Sequence, residues 1–224
     1  RENNLIFHMD AVQAVGKMPV SFKNSGADLM CLSGHKFGAL KGVGALVLKA
    51  GLSWISPSGG GGQEKGRRGG SESVPLIVAL GEAARIAKLK LNEGESERLG
   101  NLRDRFEEIL CNSTPNIEII AKELNRITNT SMILASGVIG SEIVETLGEK
   151  ELCISAGSAC KTKSFAPSHV LSNMGYSPGE TVSALRISFG SQNTIEEAEK
   201  AAFILSKEIT NYRSKKITEL QSLY

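Results

Sequence analysis

The sequence predicts an α/β protein. Three observations carry that reading. Short apolar runs of strand length recur, such as Asp28–Leu32 and Gly44–Lys49. Longer stretches between them repeat apolar residues at helical spacing, as in Leu76, Leu80, Ala83 and Ala87. Glycine, proline and capping residues punctuate the transitions.

In chain order, Leu5–Asp10 reads as a first strand ending in a carboxylate. Ala11–Gly16 follows as a short helical turn, closed by Gly16 and Pro19. Asp28–Leu32 is a second strand, and Gly44–Lys49 a third that returns from Lys36. Ser56–Ser73 is glycine-rich and without periodicity; composition alone would make it a flexible linker, but it stands between a strand and a helix. A glycine-rich run also lets backbone N–H groups approach an anion. Pro75 suits a first helical turn, so a long helix runs from about Val74 into the 90s. The polar stretch Asn92–Glu97 predicts a domain boundary, giving domains 1–92 and 93–224.

The second domain reads as a small α/β unit. Arg98–Leu110 is a helix, Ile117–Ile120, Thr130–Leu134 and Cys153–Ala156 are strands, and Ser141–Leu147 is a helix between the last two. Ser177-Pro-Gly-Glu180 and Thr194-Ile-Glu-Glu197 are capping boxes that start helices. Leu185–Gly190 is a strand carrying Arg186, and the tail beyond Tyr212 is polar enough to fray.

Composition excludes several classes. The 224 residues are 41% hydrophobic, and 26 Lys+Arg against 24 Asp+Glu give a net charge of +2. That balance argues against a nucleic-acid or membrane-surface partner. No apolar stretch approaches a membrane span, and no signal peptide is visible. Cys31, Cys111, Cys153 and Cys160 form no Cys-x-x-Cys pair, which suits free thiols in a reducing cytoplasm.

The chemistry centres on Ser33-Gly-His-Lys36, just past a strand end where open α/β sheets place their ligands. Lys36 and Asp10 are expected at neighbouring strand ends, buried, where unused charges are costly. An ordinary ion pair would satisfy them. A pyridoxal phosphate site would use both: the lysine amine on the cofactor's aldehyde, the aspartate on the ring nitrogen.

The ordered set decides between these. His8-x-Asp10-Ala-x-Gln13, Ser33-x-His35-Lys36, Gly60-Gly-Gly-Gln-Glu-x-Gly-Arg-Arg68, Ser155-Ala-Gly-Ser-Ala-Cys160 and Ser168-His-Val-Leu171 occur in that order. Together they resemble the cysteine desulfurases of the NifS/IscS type, within the class V aminotransferases of pyridoxal phosphate (PLP) fold type I. The resemblance runs from about Leu5 to about Glu199. It implies a partial large-domain sheet plus a small carboxy-terminal domain, and a chain that is the carboxy-terminal portion of a longer enzyme.

Residue by residue, the resemblance implies that Lys36 binds the cofactor and moves the substrate's α-proton. Asp10 keeps the ring nitrogen protonated, Gln13 bonds the ring's phenolic oxygen, and Ser33 and His35 hold phosphate. Ser71 stands where the family usually has a threonine that reaches the phosphate of a second subunit, implying a homodimer; Gly69 replaces a serine. Arg186 forks onto the substrate carboxylate, against the alternative of a salt bridge to a glutamate such as Glu180. Cys160 sits among small residues with Lys161 and Lys163 beyond, a setting that favours an accessible thiolate. It would take sulfur from L-cysteine as a persulfide, leaving alanine, and could transiently ligate an iron–sulfur cluster. Cys31, Cys153 and Cys111 are expected to be structural, the first two as core residues, and His8 to be a buried, hydrogen-bonded histidine. Arg67 and Arg68 are balanced between solvated loop charges and an interface or phosphate role.

The implied activity is therefore cysteine desulfuration feeding iron–sulfur assembly or tRNA thiolation, with a scaffold or other acceptor protein as partner. Two alternatives stay open: a selenocysteine lyase or other class V transferase, and a non-catalytic relic or subunit. Without the ring-stacking half of the family's site, little activity is expected from this chain alone.

Overall fold

A computed structural model describes residues 5–149, 152–157 and 168–221. The chain divides into two compact units, Arg1–Ser96 and Glu97–Tyr224.

The first unit is built on β1 (His8–Asp10), α1 (Phe22–Ser25), β2 (Leu29–Ser33), β3 (Gly44–Leu48) and α2 (Val74–Asn92). Its sheet has the order β1-β2-β3, with β1 parallel and β3 antiparallel to β2. β1 is shorter than the apolar run predicts: Leu5, Ile6 and Phe7 are exposed and precede the strand, which begins at His8. The Phe7 carbonyl accepts the Asp28 and Leu29 N–H groups, while the buried Asp28 carboxylate accepts the Phe7 N–H at 3.0 Å. Asp28 thus fixes where the parallel pairing begins.

Ala11–Lys17 turns back through hydrogen bonds from Ala14 and Val15 to the Ala11 carbonyl. After β2 the chain enters a 3-10 turn, Gly34–Phe37, that carries His35 and Lys36. α2 begins with Pro75 in its first turn, as expected, and its predicted apolar stripe backs this turn: Leu80 lies against Gly34, Leu76 against Gly42, and Ala83 is buried.

The second unit follows from α3 (Glu95–Ser113), whose first turn starts inside the polar stretch. Glutamates are good helix formers and are favoured in a first turn. Then come β4 (Ile117–Ile119), β5 (Thr130–Ala135), α4 (Gly140–Gly148), β6 (Ser155–Ala156), α5 (His169–Asn173), α6 (Pro178–Val182), β7 (Ala184–Ser188) and α7 (Ile195–Gln221). The sheet order is β4-β5-β7-β6, antiparallel throughout.

Strand alternation sorts this sheet into two faces. Ile133, Ala135, Leu185 and Ile187 join Phe106 and Leu110 of α3, Ile143 and Leu147 of α4, and Leu205 and Ile209 of α7 in one core. Leu134, Ala184, Ile120 and Leu171 form a smaller cluster on the opposite face. Both capping boxes form: Glu180 Oε2 accepts the Ser177 N–H at 2.7 Å, and Glu197 Oε2 accepts the Thr194 N–H at 3.1 Å. Contrary to the expected fraying, α7 continues to Gln221. Arg213 holds it, donating to the carbonyls of Ser136 and Pro115 at 2.9 and 2.8 Å.

Candidate active site

In the first unit, Asp10 and Ser33 close two adjacent parallel strands, and Lys36 follows three residues beyond the second. The register pairs Asp10 with Cys31. Residues in register on neighbouring strands project to the same face, and Ser33 joins them by the two-residue alternation along β2. His8, Asp10, Cys31 and Ser33 therefore share one face of the sheet.

Local contacts orient these side chains. Asp10 Oδ1 accepts the Val12 N–H at 2.9 Å, which holds the carboxylate at the head of the turn. Ser33 Oγ and His35 Nδ1 lie 3.0 Å apart, so the hydroxyl and imidazole are set as one pair of polar groups. Gln13 Oε1 accepts from Lys17 Nζ at 2.7 Å, which leaves the amide nitrogen as the end that can donate outward. The 3-10 turn itself needs glycine. A Cβ at Gly34 would lie 2.9 Å from Ala39 Cβ and Leu80 Cδ1 and 3.1 Å from the Val43 carbonyl oxygen. The lysine turn can thus sit against α2 only without a side chain at position 34.

One expectation is corrected: Asp10 and Lys36 are both exposed, and so are His8 and His35. Apolar runs predict burial at their ends, but among the described residues these end positions face solvent, while Cys31 and Ser33 on the same sheet face are half-buried. The cost of two buried charges therefore does not arise in this chain, and His8 is not a buried histidine.

The glycine-rich segment is cross-tied, not a free linker. Trp54 Nε1 donates to the Arg67 carbonyl at 2.9 Å, and the Gly69 N–H donates to Ser58 Oγ at 3.1 Å. Gln63 Oε1 accepts the Gly70 N–H at 3.2 Å. A Cβ at Gly69 would fall 2.4 Å from the Gly59 carbonyl oxygen, so the loop's own closure excludes a serine there. Ser71, Arg67 and Arg68 are exposed on this loop.

In the second unit, Arg186 lies on the sheet face away from the main core, half-buried, with Nη2 3.5 Å from Ser155 Oγ across the β6–β7 pair. The alternative salt bridge to Glu180 does not form, because that carboxylate is taken by Ser177. Its pKa is lowered by the hydrogen bonds from the Ser177 hydroxyl and backbone. Cys160, with Lys161 and Lys163, lies outside the described residues. The remaining cysteines also differ from expectation: Cys31 is half-buried, and Cys111 and Cys153 are exposed. Cys31 lies within the middle strand β2, Cys153 just before β6 and Cys111 on α3, so a place in an apolar run does not by itself bury a thiol. A groove lined by Asn116, Glu118, Ser136, Ser177, Glu180 and Ser183 holds none of the predicted site residues.

The sequence reading missed Cys31 as a neighbour of Asp10. Only the register of β1 against β2 joins them, and register is not a local signal. Among the described residues no cluster of three His, Cys, Asp or Glu is set to hold a metal ion. No described helix is long and apolar enough to cross a membrane.

These strand-end groups and the α/β frame belong to a known class. The family model for class-V aminotransferases matches residues 1–200, and the chain belongs to that family. It is 38% identical over 214 residues to a protein named cysteine desulfurase 2 from Trichormus variabilis, covering 96% of this chain and 53% of that one. A cysteine desulfurase from Sinorhizobium fredii is 36% identical, with 93% and 54% covered. Among solved structures, a NifS-like protein from Rickettsia africae superposes with a TM-score of 0.81 at 31% identity, covering 92% of this chain and 54% of that one. The chain shares the α/β fold of these proteins and spans about half the length of the curated relatives it matches.

Proposed function

We propose that this chain forms part of a PLP-dependent cysteine desulfurase and carries its lysine, its ring-nitrogen carboxylate and its sulfur-accepting thiol. The observation that supports this most is the convergence of Asp10, Ser33, His35 and Lys36 on the ends of two adjacent parallel strands. The donor set fits the cofactor: a primary amine for its aldehyde, a carboxylate for the pyridine nitrogen, and a hydroxyl–imidazole pair for the phosphate.

When bound, PLP supplies the electron sink that stabilises negative charge beside the substrate's amino group. The chain's own residues do the rest. Lys36 Nζ would hold the cofactor's aldehyde and would take the substrate's α-proton. Asp10 keeps a proton on the ring nitrogen. The Gln13 amide orients the ring oxygen, and Ser33 and His35 anchor the phosphate. Ser71 reaches the phosphate of a second subunit in a homodimer. Arg186 forks onto the substrate α-carboxylate. The Cys160 thiolate attacks the sulfur of L-cysteine: a S–S bond forms, the Cβ–S bond breaks, the electron pair left on Cβ takes a proton, and a proton returned to Cα completes alanine. The persulfide passes to an acceptor in the cytoplasm, such as an iron–sulfur scaffold, consistent with the name of a 36% identical IscS relative from Methanosarcina thermophila. Transient ligation of an iron–sulfur cluster by Cys160 belongs to the same proposal.

The test is spectroscopic. Adding PLP to the purified chain is expected to give a visible absorption band that borohydride abolishes and that Lys36→Ala lacks. L-Cysteine should then load a persulfide onto Cys160, detected by mass, and Cys160→Ser should prevent it. Absence of the band in a folded chain, or an unchanged band in Lys36→Ala, would defeat the proposal.

A further inference from the structure

Asp10 has a neighbour whose chemistry the site does not yet use. Cys31 stands directly across from it in the parallel β1–β2 pair, side chains on one face of strands about 5 Å apart. The Ala11 N–H donates to the Cys31 carbonyl at 3.0 Å, locking that register immediately beside the carboxylate. The shared register and face put the Cys31 thiol beside the Asp10 carboxylate, whose Oδ1 already takes the Val12 N–H. The carboxylate is tied to the turn after it and has the thiol of the adjacent strand as its neighbour on the other side.

We propose that Cys31 is a positioning residue for Asp10, its thiol orienting the carboxylate toward the place where a pyridine nitrogen would sit. Its value for the cofactor rests on the reading of Asp10 given above. A thiol suits this task because S–H is a weak donor. It steers the carboxylate without neutralising it, whereas a lysine or arginine there would drain the negative charge that must keep the ring nitrogen protonated. The arrangement requires a protonated sulfur. Burial first, and the Asp10 charge and hydrogen bond next, push the Cys31 thiol up from its ordinary value. The other groups sharing its face are His8 on β1, Leu29 and Ser33 on β2, and Leu46 and Leu48 on β3, so Asp10 is the carboxylate that faces it.

Two measurements test this. In the first, the apo chain is alkylated with iodoacetamide across a pH series and Cys31 is followed by peptide mass spectrometry. Asp10→Asn should make Cys31 react about three- to tenfold faster at mildly alkaline pH, the gain expected when a nearby negative charge is removed. Cys111 and Cys153 should keep their rates, which reports an intact fold. An unchanged Cys31 profile would overturn the contact and the proposal with it. In the second, PLP affinity is read from the visible band. Cys31→Ala should weaken it about three- to tenfold, the worth of one weak hydrogen bond, and Cys31→Ser should restore it. Equal affinity in the Cys31→Ala chain would overturn the positioning role even with the contact confirmed. If the unsubstituted chain binds no PLP, the reading of Asp10 fails and the cofactor role of Cys31 falls with it, while the alkylation result still decides the contact.

Discussion

The two units solve the problem of burial differently. In residues 97–224 a closed core assembles, with Phe106, Leu110, Ile133, Ile143, Leu147, Leu185, Leu205 and Ile209 all at or below 1% exposure. Among the described residues of 1–96 the buried apolar ones are Ala11, Ala27, Met30 and Ala83, while Leu5, Ile6, Leu40, Ile55, Val74 and Val78 are each at least 60% exposed. A fully buried aliphatic or aromatic side chain contributes about 1.5–3 kcal/mol, so one unit has a self-sufficient core and the other rests on a short sheet backed by one helix face. Lys36 and Asp10, the proposed cofactor residues, stand on the thinly supported unit. The lesson is that site geometry here depends on local ties, such as Asp28 on Phe7 and Gly34 against Leu80, more than on a core.

Predictions that sharpen this contrast run from large to small. Phe106→Ala should cost about 3–5 kcal/mol in urea unfolding, through the cavity it leaves at the centre of the second unit. Arg126→Ala should cost about 3 kcal/mol, because it strands the buried Glu107 carboxylate that Arg126 binds through two hydrogen bonds of 2.8 and 3.1 Å. Ser131→Ala should stabilise by about 1 kcal/mol, since the Ser131 hydroxyl is fully buried without a hydrogen-bond partner. Ile77→Ser, on the exposed flank of α2, should change stability by no more than about 0.5 kcal/mol. A cost above 2 kcal/mol for that last change, roughly a core-residue value, would break the comparison.

The pH dependence has a definite sign. Glu180 and Glu197 are held below the ordinary carboxylate value of 4.5 by hydrogen bonds from Ser177 and Thr194. A carboxylate lowered in the folded state adds stability above its unfolded value and loses it as pH falls through the folded one. Both caps should thus weaken in acid below about pH 4.5. Glu180→Gln should flatten that part of the decline between neutral pH and about pH 3, measured by urea midpoints. An identical decline in both proteins would remove Glu180 from the account.

Much of the fold was legible because its signals are local. The capping boxes at Ser177 and Thr194 and the stripe Leu76–Leu80–Ala83–Ala87 are short-range patterns, and each forms. The early start of α3 and the continuation of the long last helix past Tyr212 were not, since charged residues such as Glu95, Lys215 and Lys216 suit either a solvated loop or an exposed helix. Arg213 decides for helix through carbonyls 77 and 98 residues away, which no local pattern reveals. The candidate site followed the same division. The strand-end placement of Asp10 and Lys36 came from apolar runs; their exposure and the Cys31–Asp10 pairing depend on what packs beside a sheet and on register.

The most direct measurement is to identify the lysine that binds the cofactor. The chain is incubated with PLP, reduced with borohydride, digested, and mapped by mass spectrometry. The account predicts a pyridoxyl adduct on the peptide containing Lys36, absent from Lys36→Ala. An adduct spread over the surface lysines, or confined to another one, would contradict it.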